Sequence, residues 1–368
     1  MKFLFLEPFF GGSHKDFAEG LATHSRHEIT LLTLPARFWK WRMRGAALHF
    51  LRNCPQLSSF DGLITTDLMS LSDFKSLAGP GCPPALVYFH ENQLTYPLAP
   101  GERMDVHFGF TDITTALAAD RILFNSRTHR DTFFDHLPRF IGRMPEFKPL
   151  WAVEEIRNKS EVLYPGCHLE NTGAPLPGDG DKNAAPLIIW NHRWEFDKNP
   201  RAFFDALHQL EKLGCDFRLA LLGENFQAVP KPFLQARDRF AHRIVQYGYC
   251  PSREAYHALL RQGAAVVSTA LQENFGIAVV EAIHYGALPL LPNRLAYPEI
   301  VPRDLHAAFL YDNDEELAPR LKKMLESPAE YGFEKKRLQE RVRAFAWPRM
   351  IEAYDRCLSA LPSRGSKD

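Results

Sequence analysis

Cysteine is scarce: Cys54, Cys82, Cys167, Cys215, Cys250 and Cys357 are the six in 368 residues, and none forms a CxxC pair. That pattern argues against a disulfide framework and against a paired-thiolate zinc site. It suits reduced thiols in a cytoplasmic protein. Net charge is also missing. Lys+Arg and Asp+Glu both number 44, so no global basic field draws the chain to nucleic acid, and any basic footprint must be local. No apolar run reaches the roughly 20 residues of a membrane span. MKFLFLEPFF is too short an apolar stretch for a secretory leader, lacks a convincing cleavage site, and reads as a first buried strand. GxGxxG is absent, which removes the dinucleotide fingerprint. No His, Cys or Asp cluster has convincing metal-ligand spacing, and the Asp179/Asp181 pair sits by chance in a polar linker. What is present is 45% apolar residues over a length that predicts about two domains.

The chain is organised around residues 264–287, AAVVSTALQENFGIAVVEAIHYGA. Ala264 to Val267 reads as a buried strand, Ser268 to Asn274 as a polar turn, and Ile277 to Ile283 as a helix closed by Gly286. Open α/β sheets bind ligands at the carboxyl ends of their strands. A helix N-terminus there adds free N–H groups and a positive dipole end. Glu273 in the turn and Glu281 in the helix are then acceptors for a sugar or ribose hydroxyl. As single residues they read equally well as a first-turn glutamate and a wet-face glutamate.

Other polar clusters follow strands in the same way. Lys2 to Leu6 ends in EPFFGGS, whose glycine pair is either a tight turn or a loop that lets a ligand reach the backbone. Ala85 to Phe89 ends in His90-Glu91-Asn92-Gln93, a dense cluster that favours a site over one structural histidine. Leu187 to Trp190 runs into a turn bracketed by Arg193 and Lys198 before a helix, a good place to hold a pyrophosphate. Between the second and third strands, Arg37, Lys40, Arg42, Arg44 and Arg52 alternate with Phe38, Trp39, Trp41 and Phe50. Basic groups with interleaved aromatics suit phosphate contact with base stacking. The alternative is an amphipathic helix with core tryptophans and solvated arginines. Strands alternate with helices on both sides of a Pro/Gly/Asp-rich break at Pro165 to Pro186. This predicts two doubly wound α/β domains with parallel sheets, at 1–165 and 186–346 with a linker at 166–185, and an active cleft between them.

Arg193-x4-Lys198 and Glu273-x7-Glu281, with Gly248-Tyr249 between them, resemble the retaining GT-B glycosyltransferases of the glycogen-synthase-like class, family 4. The resemblance covers nearly the whole chain. It implies two Rossmann-like domains facing across a cleft, with a last helix over about 347–362 packed back on the first. It implies that Arg193 and Lys198 hold the donor diphosphate and that Glu281 binds the nucleotide ribose. Glu273 would face the donor sugar, and Asn274, Phe275, Gly276 and Ile277 would contact the sugar and phosphates through the backbone. Gly248 and Tyr249 complete the donor set, Gly12 matches the N-terminal glycine loop, and His90 matches the histidine beside the transferred sugar.

LEPFFGGSHK, LPARFWKWRMRGAALHF, YFHENQLTYP and LFNS together look like the tRNA-queuosine alpha-mannosyltransferase family. Its members transfer mannose from GDP-mannose to queuosine in the anticodon of tRNA-Asp. The partners so implied are a nucleotide-sugar donor and a tRNA carrying queuosine, with no membrane, no cofactor and no metal. The acceptor set is then Arg37, Lys40, Arg42, Arg44, Glu91 and Asn92. Three other readings stay open: a transferase with another sugar or a saccharide or lipid acceptor, a nucleotide-sugar epimerase, and a catalytically silent RNA-binding protein.

Overall fold

The structure is a computed structural model and describes residues 1–98, 101–169, 184–223 and 229–363. Most of the linker with Asp179 and Asp181, the Glu224-Asn225 end of a turn, and the tail beyond Ser363 lie outside the described residues. The chain divides into two units, one of Met1–His168 with Phe345–Asp368 and one of Leu169–Ala344.

Unit 1 is built on a six-stranded sheet: β1 (Lys2–Phe10), β2 (Glu28–Pro35), β3 (Gly62–Thr66), β4 (Ala85–Phe89), β5 (Arg121–Phe124) and β6 (Ser160–Val162). All pairs are parallel, in the order β2-β1-β3-β4-β5-β6. Side chains alternate across the pleat. Leu4, Leu6, Leu63, Val87 and Phe89 enter one core, and Phe3, Phe5, Ile64, Leu86 and Tyr88 enter another. Both faces are therefore apolar, the mark of a parallel sheet covered on two sides. The strand order reverses between β1 and β3, and the crevice of such a sheet lies at that switch point. β1 does not end at Leu6. It bulges after Glu7 and continues until Phe10 pairs with Pro35.

The helix Trp347–Ser359 belongs to this unit and packs against the helix Gly12–His24. Trp347 lies so close to Gly20 that a Cβ there would come within 2.0 Å of the indole nitrogen, so only glycine fits. Ser25 Oγ donates to Asp355 Oδ1 at 2.5 Å, and Tyr354 Oη donates to the Tyr164 carbonyl at 2.8 Å.

Unit 2 carries the second six-stranded parallel sheet: β7 (Leu187–Asn191), β8 (Arg218–Leu222), β9 (Ile244–Tyr247), β10 (Gly263–Val267), β11 (Leu288–Pro292) and β12 (Leu310–Tyr311). Its order is β12-β11-β10-β7-β8-β9, that of a Rossmann sheet with its switch point between β7 and β10. The turns that follow those two strands carry Arg193 and Lys198 on one side and Glu273 on the other. Both sheets match the expected α/β doubly wound class. Among the described residues no helix is long and apolar enough to cross a membrane.

Candidate active site

The unit 2 site forms where the β7 and β10 turns lie side by side. They are laced by hydrogen bonds: the Thr269 side-chain Oγ1 donates to the carbonyls of Lys198 and Asn199, each at 2.9 Å, and Leu271 N donates to the Asp197 carbonyl at 2.7 Å. Lys198 is buried. Its Nζ donates to the Gln272 carbonyl at 2.6 Å and lies 3.2 Å from Asp197 Oδ2 and 3.4 Å from Glu273 Oε2. Burial alone would depress this ammonium, but Glu273 and Asp197 outweigh it and raise its pKa above the ordinary lysine value. Burial likewise pushes Glu273 up, and Lys198 and His192 more than reverse that, so Glu273 stays ionised. His192, also buried and beside Lys198, is held down to about 4 and is neutral near pH 7. Arg193 is partly exposed and pairs with Glu195 at 3.4 Å.

Glu281 stands in the helix Ile277–His284 and is buried. Tyr256 Oη donates to its Oε2 at 3.0 Å, and Asn191 Nδ2 donates to Tyr256 Oη at 3.1 Å. Arg253 lies 4.0 Å away. The helix is entered through Gly276 at φ +100, where a side chain would be strained and its Cβ would press on the Tyr297 ring at 3.3 Å. Asn274 accepts from Gln272, and the N–H of Phe275 donates to Glu273 Oε1 at 3.4 Å. Gly248 closes β9 with φ +97, and Tyr249 beyond it is exposed. The two glutamates thus hold separate partners, Lys198 for Glu273 and Tyr256 for Glu281.

In unit 1 the sheet reversal gathers residues from β1, the helix Gly12–His24 and the turns after β3 and β4. Glu7 is fully buried inside β1, and its Oε1 accepts from Phe9 N at 2.8 Å and meets His14 Nδ1 at 3.3 Å. The His14 ring stacks on His90 with centroids 4.0 Å apart. Burial lowers the His14 pKa, but Glu7 outweighs it and the net shift is upward. His90 is pushed well below the usual imidazole range, by burial first and by the neighbouring His14 second. The amide of His90 donates to Asp67 Oδ1 at 2.8 Å, and burial with Glu91 nearby raises the Asp67 pKa. Glu7, His14 and His90 also bring one ligand atom each within 4.8 Å of one another, although Glu7 and His14 already pair. Gly12, at φ +50, opens the helix Gly12–His24 with open space where a side chain would stand.

The acceptor set divides. Glu91 is half-buried and accepts from Gln93 Nε2 at 3.3 Å. Asn92 is 1% exposed, and its Oδ1 accepts from Leu94 N, Thr95 N and Thr95 Oγ1 at 3.0, 3.0 and 3.1 Å, while its Nδ2 has no hydrogen-bond partner among the described residues. Its oxygen builds the turn. Arg37, Lys40 and Arg44 are exposed, while Arg42 is half-buried and has an Nε with no partner among the described residues. The helix Trp39–Asn53 buries Met43, Ala46, Ala47 and Phe50, a stripe at the helical repeat. Trp41 lies off that stripe and is 78% exposed, so the core-tryptophan alternative fails for it. Trp39 is half-buried and leans on Phe108 with centroids 5.2 Å apart. Lys40, Trp41 and Arg44 line an open groove of about 450 Å³ with Asp105, His107 and Phe108.

Sequence reading missed Glu7, His14 and Asp67 in unit 1 and His192, Asp197 and Tyr256 in unit 2. A lone charged residue inside an apolar strand was the available signal for Glu7.

Residues 2–167 match the family described as tRNA-queuosine alpha-mannosyltransferase N-terminal, and residues 179–344 match glycosyl transferases group 1. A tRNA-queuosine alpha-mannosyltransferase of Drosophila melanogaster is 36% identical over 327 residues, covering 86% of this chain and 85% of its own. A GDP-mannose:cellobiosyl-diphosphopolyprenol alpha-mannosyltransferase of Xanthomonas oryzae is 25% identical over 201 residues, 54% of this chain and 51% of its own. Among solved structures, sucrose-phosphate synthase from Thermosynechococcus elongatus superposes with a TM-score of 0.72 at 14% identity, covering 98% of this chain and 100% of its own. Anabaena HepE, solved with UDP and glucose, superposes at 0.68 and 16% identity, with the same coverage of both chains. At such identities these neighbours speak for the fold alone, and that fold is GT-B.

Proposed function

The chain belongs to the tRNA-queuosine alpha-mannosyltransferase family, and on that premise we propose that it transfers mannose from GDP-mannose to queuosine in the anticodon of tRNA-Asp, with retention at the anomeric carbon. The observation that carries the chemistry is Lys198, a buried cation held by two carboxylates at the sheet's switch point. Donor cleavage builds negative charge on the departing diphosphate and positive character on the anomeric carbon. Lys198 and Arg193 meet the first, and the ionised Glu273 faces the second. These cations take the place of a metal. Glu281, oriented by Tyr256, accepts from the ribose hydroxyls. The acceptor hydroxyl attacks from the leaving-group face and gives its proton to the departing phosphate, a route that retains configuration without a protein nucleophile.

His90 serves the transferred sugar as a neutral imidazole, and the cations at the amino end of the helix Trp39–Asn53 serve the tRNA phosphates. No disulfide joins the six cysteines, which suits the cytoplasm, where such a tRNA is met. The second reading is a polyprenol-diphosphate acceptor of the kind named for the Xanthomonas relative. That match spans 54% of the chain, whereas the tRNA-modifying family match fills residues 2–167. A catalytically silent RNA-binding protein would have no use for the Lys198 site. Incubation with a panel of nucleotide sugars and total tRNA, followed by nucleoside mass analysis, separates these readings. A hexosylated nucleoside formed only from GDP-mannose supports the proposal. Hexose on lipid, or no donor turnover, refutes it.

A further inference from the structure

Two exposed phenylalanines occupy the left-handed region, Phe38 at φ 56 and Phe147 at φ 49. A non-glycine residue holds that conformation at a cost of about 1–3 kcal/mol. Neither ring is buried in return: Phe38 is 68% exposed and Phe147 is 86% exposed. Each immediately precedes or closely precedes a helix whose first turn displays a tryptophan. Trp41 is 78% exposed in Trp39–Asn53, and Trp151 is 66% exposed at the start of Trp151–Asn158.

Both helix starts lie at the carboxyl edge of the unit 1 sheet. Trp39–Asn53 follows the end of β2, and Trp151–Asn158 runs down to the start of β6, where Lys159 Nζ caps the carbonyls of Leu117 and Ala119 at 2.7 Å each. The segment Met104 to Phe108 touches residues leading into both helices. Phe108 touches Trp39, and Arg143 Nη1 donates to Met104 Sδ at 3.1 Å. The three segments 37–44, 101–108 and 143–151 hold seven Lys or Arg residues against three carboxylates, in a chain whose charges cancel. Exposed flat rings set among cations match a polyanion that also offers unstacked bases.

We propose that Phe147 and Trp151 seat an unstacked nucleobase of the acceptor RNA's single-stranded loop, next to the groove of Trp41 that seats another. This rests on the tRNA reading above and extends its acceptor surface to a segment, 143–151, in which the sequence carries no motif.

The test compares the parent with Phe147→Ala/Trp151→Ala and with Phe147→Gly/Trp151→Ala, in which glycine relieves the backbone. Binding of a queuosine-bearing tRNA and of its isolated anticodon stem-loop is measured across salt concentrations. Base stacking on an aromatic is worth about 5- to 150-fold per base, so both variants should bind both RNAs at least about 5-fold more weakly. The salt slope should stay at the parent value, because rings displace no counterions. Donor hydrolysis without acceptor should be unchanged. Parent-like RNA affinity in both variants overturns the proposal. So does an equal loss on a loop-free duplex, or binding of phosphatidylserine vesicles that the variants lose while keeping tRNA. Failure of the parent itself to bind tRNA would instead defeat the function on which the proposal rests.

Discussion

Replacing Lys198 by Met removes the cation that two buried carboxylates share. Asp197 and Glu273 then stand at 3.2 and 3.4 Å from an empty place. Breaking a buried pair by removing one partner costs about 3–5 kcal/mol, because a charge is left uncompensated in a poor solvent for it. Chemical unfolding at pH 7 should show a loss of that order. The sign with pH follows from the groups. In the parent, Lys198 and His192 hold Glu273 below its ordinary value against burial, so that part of the stability is present above the unfolded carboxylate pKa and is lost as pH falls. In the variant burial wins and Glu273 titrates upward, so the penalty grows with pH and the gap between the proteins narrows toward acid. Lys198→Met/Glu273→Gln should recover part of the lost stability at pH 7. Donor affinity, measured by calorimetry at a pH where the variant is folded, should fall roughly 10- to 100-fold for one charge-assisted bond. Lys198→Arg, which keeps the charge, should lose less. A folded Lys198→Met protein with parent stability and parent donor affinity would refute both the pairing and the diphosphate role.

Glu281→Gln should raise the donor KM, and a 2′-deoxyribose donor should bind poorly to the parent; equal treatment of both donors by the parent would remove Glu281 from the ribose. Replacing Lys40 and Arg44 should flatten the dependence of log K for tRNA on log salt by about 1 to 2 units, in protein with a parent-like unfolding transition, and a parent slope would deny their phosphate contacts. His90→Ala should cut kcat more than donor affinity, while a variant that loses only thermal stability would mark His90 as structural. Glu7→Gln should leave His14 to burial, so its pKa falls. The parent's advantage in unfolding free energy should then be larger at pH 6 than at pH 8, because a raised imidazole stabilises below the unfolded pKa and that contribution fades as pH rises through the folded one. A gap independent of pH would show that the Glu7–His14 pair carries no charge.

The parallel sheets were legible because their strands are short apolar runs bounded by polar turns, and the polar turns fell at the carboxyl ends where the sites stand. Lys198 and Glu273 could be paired only through the β7–β10 adjacency, which residue spacing does not contain. The pairing of Glu7 with His14 stayed hidden for a similar reason, although both stand in LEPFFGGSHK: Glu7 sits inside β1, past the Leu6 where the strand was expected to end. Three helices, Leu71–Ala78, Trp151–Asn158 and Lys231–Arg239, were not anticipated, since eight or nine residues give too few repeats for a period to stand out. The use of the Asn92 oxygen within its own turn was not legible, because an amide that builds a turn and an amide that binds a ligand look alike in sequence. Trp41 could not be placed until the Met43, Ala46, Ala47 and Phe50 stripe fixed which way the helix faces.

The most direct measurement gives the protein GDP-mannose labelled in the sugar and two preparations of one tRNA, with and without queuosine. The account predicts label in the RNA only where queuosine is present, recovered after digestion as a single nucleoside heavier by one hexose in the alpha configuration. Equal labelling of both preparations, or donor consumed with the label released as free mannose and none on RNA, would contradict it.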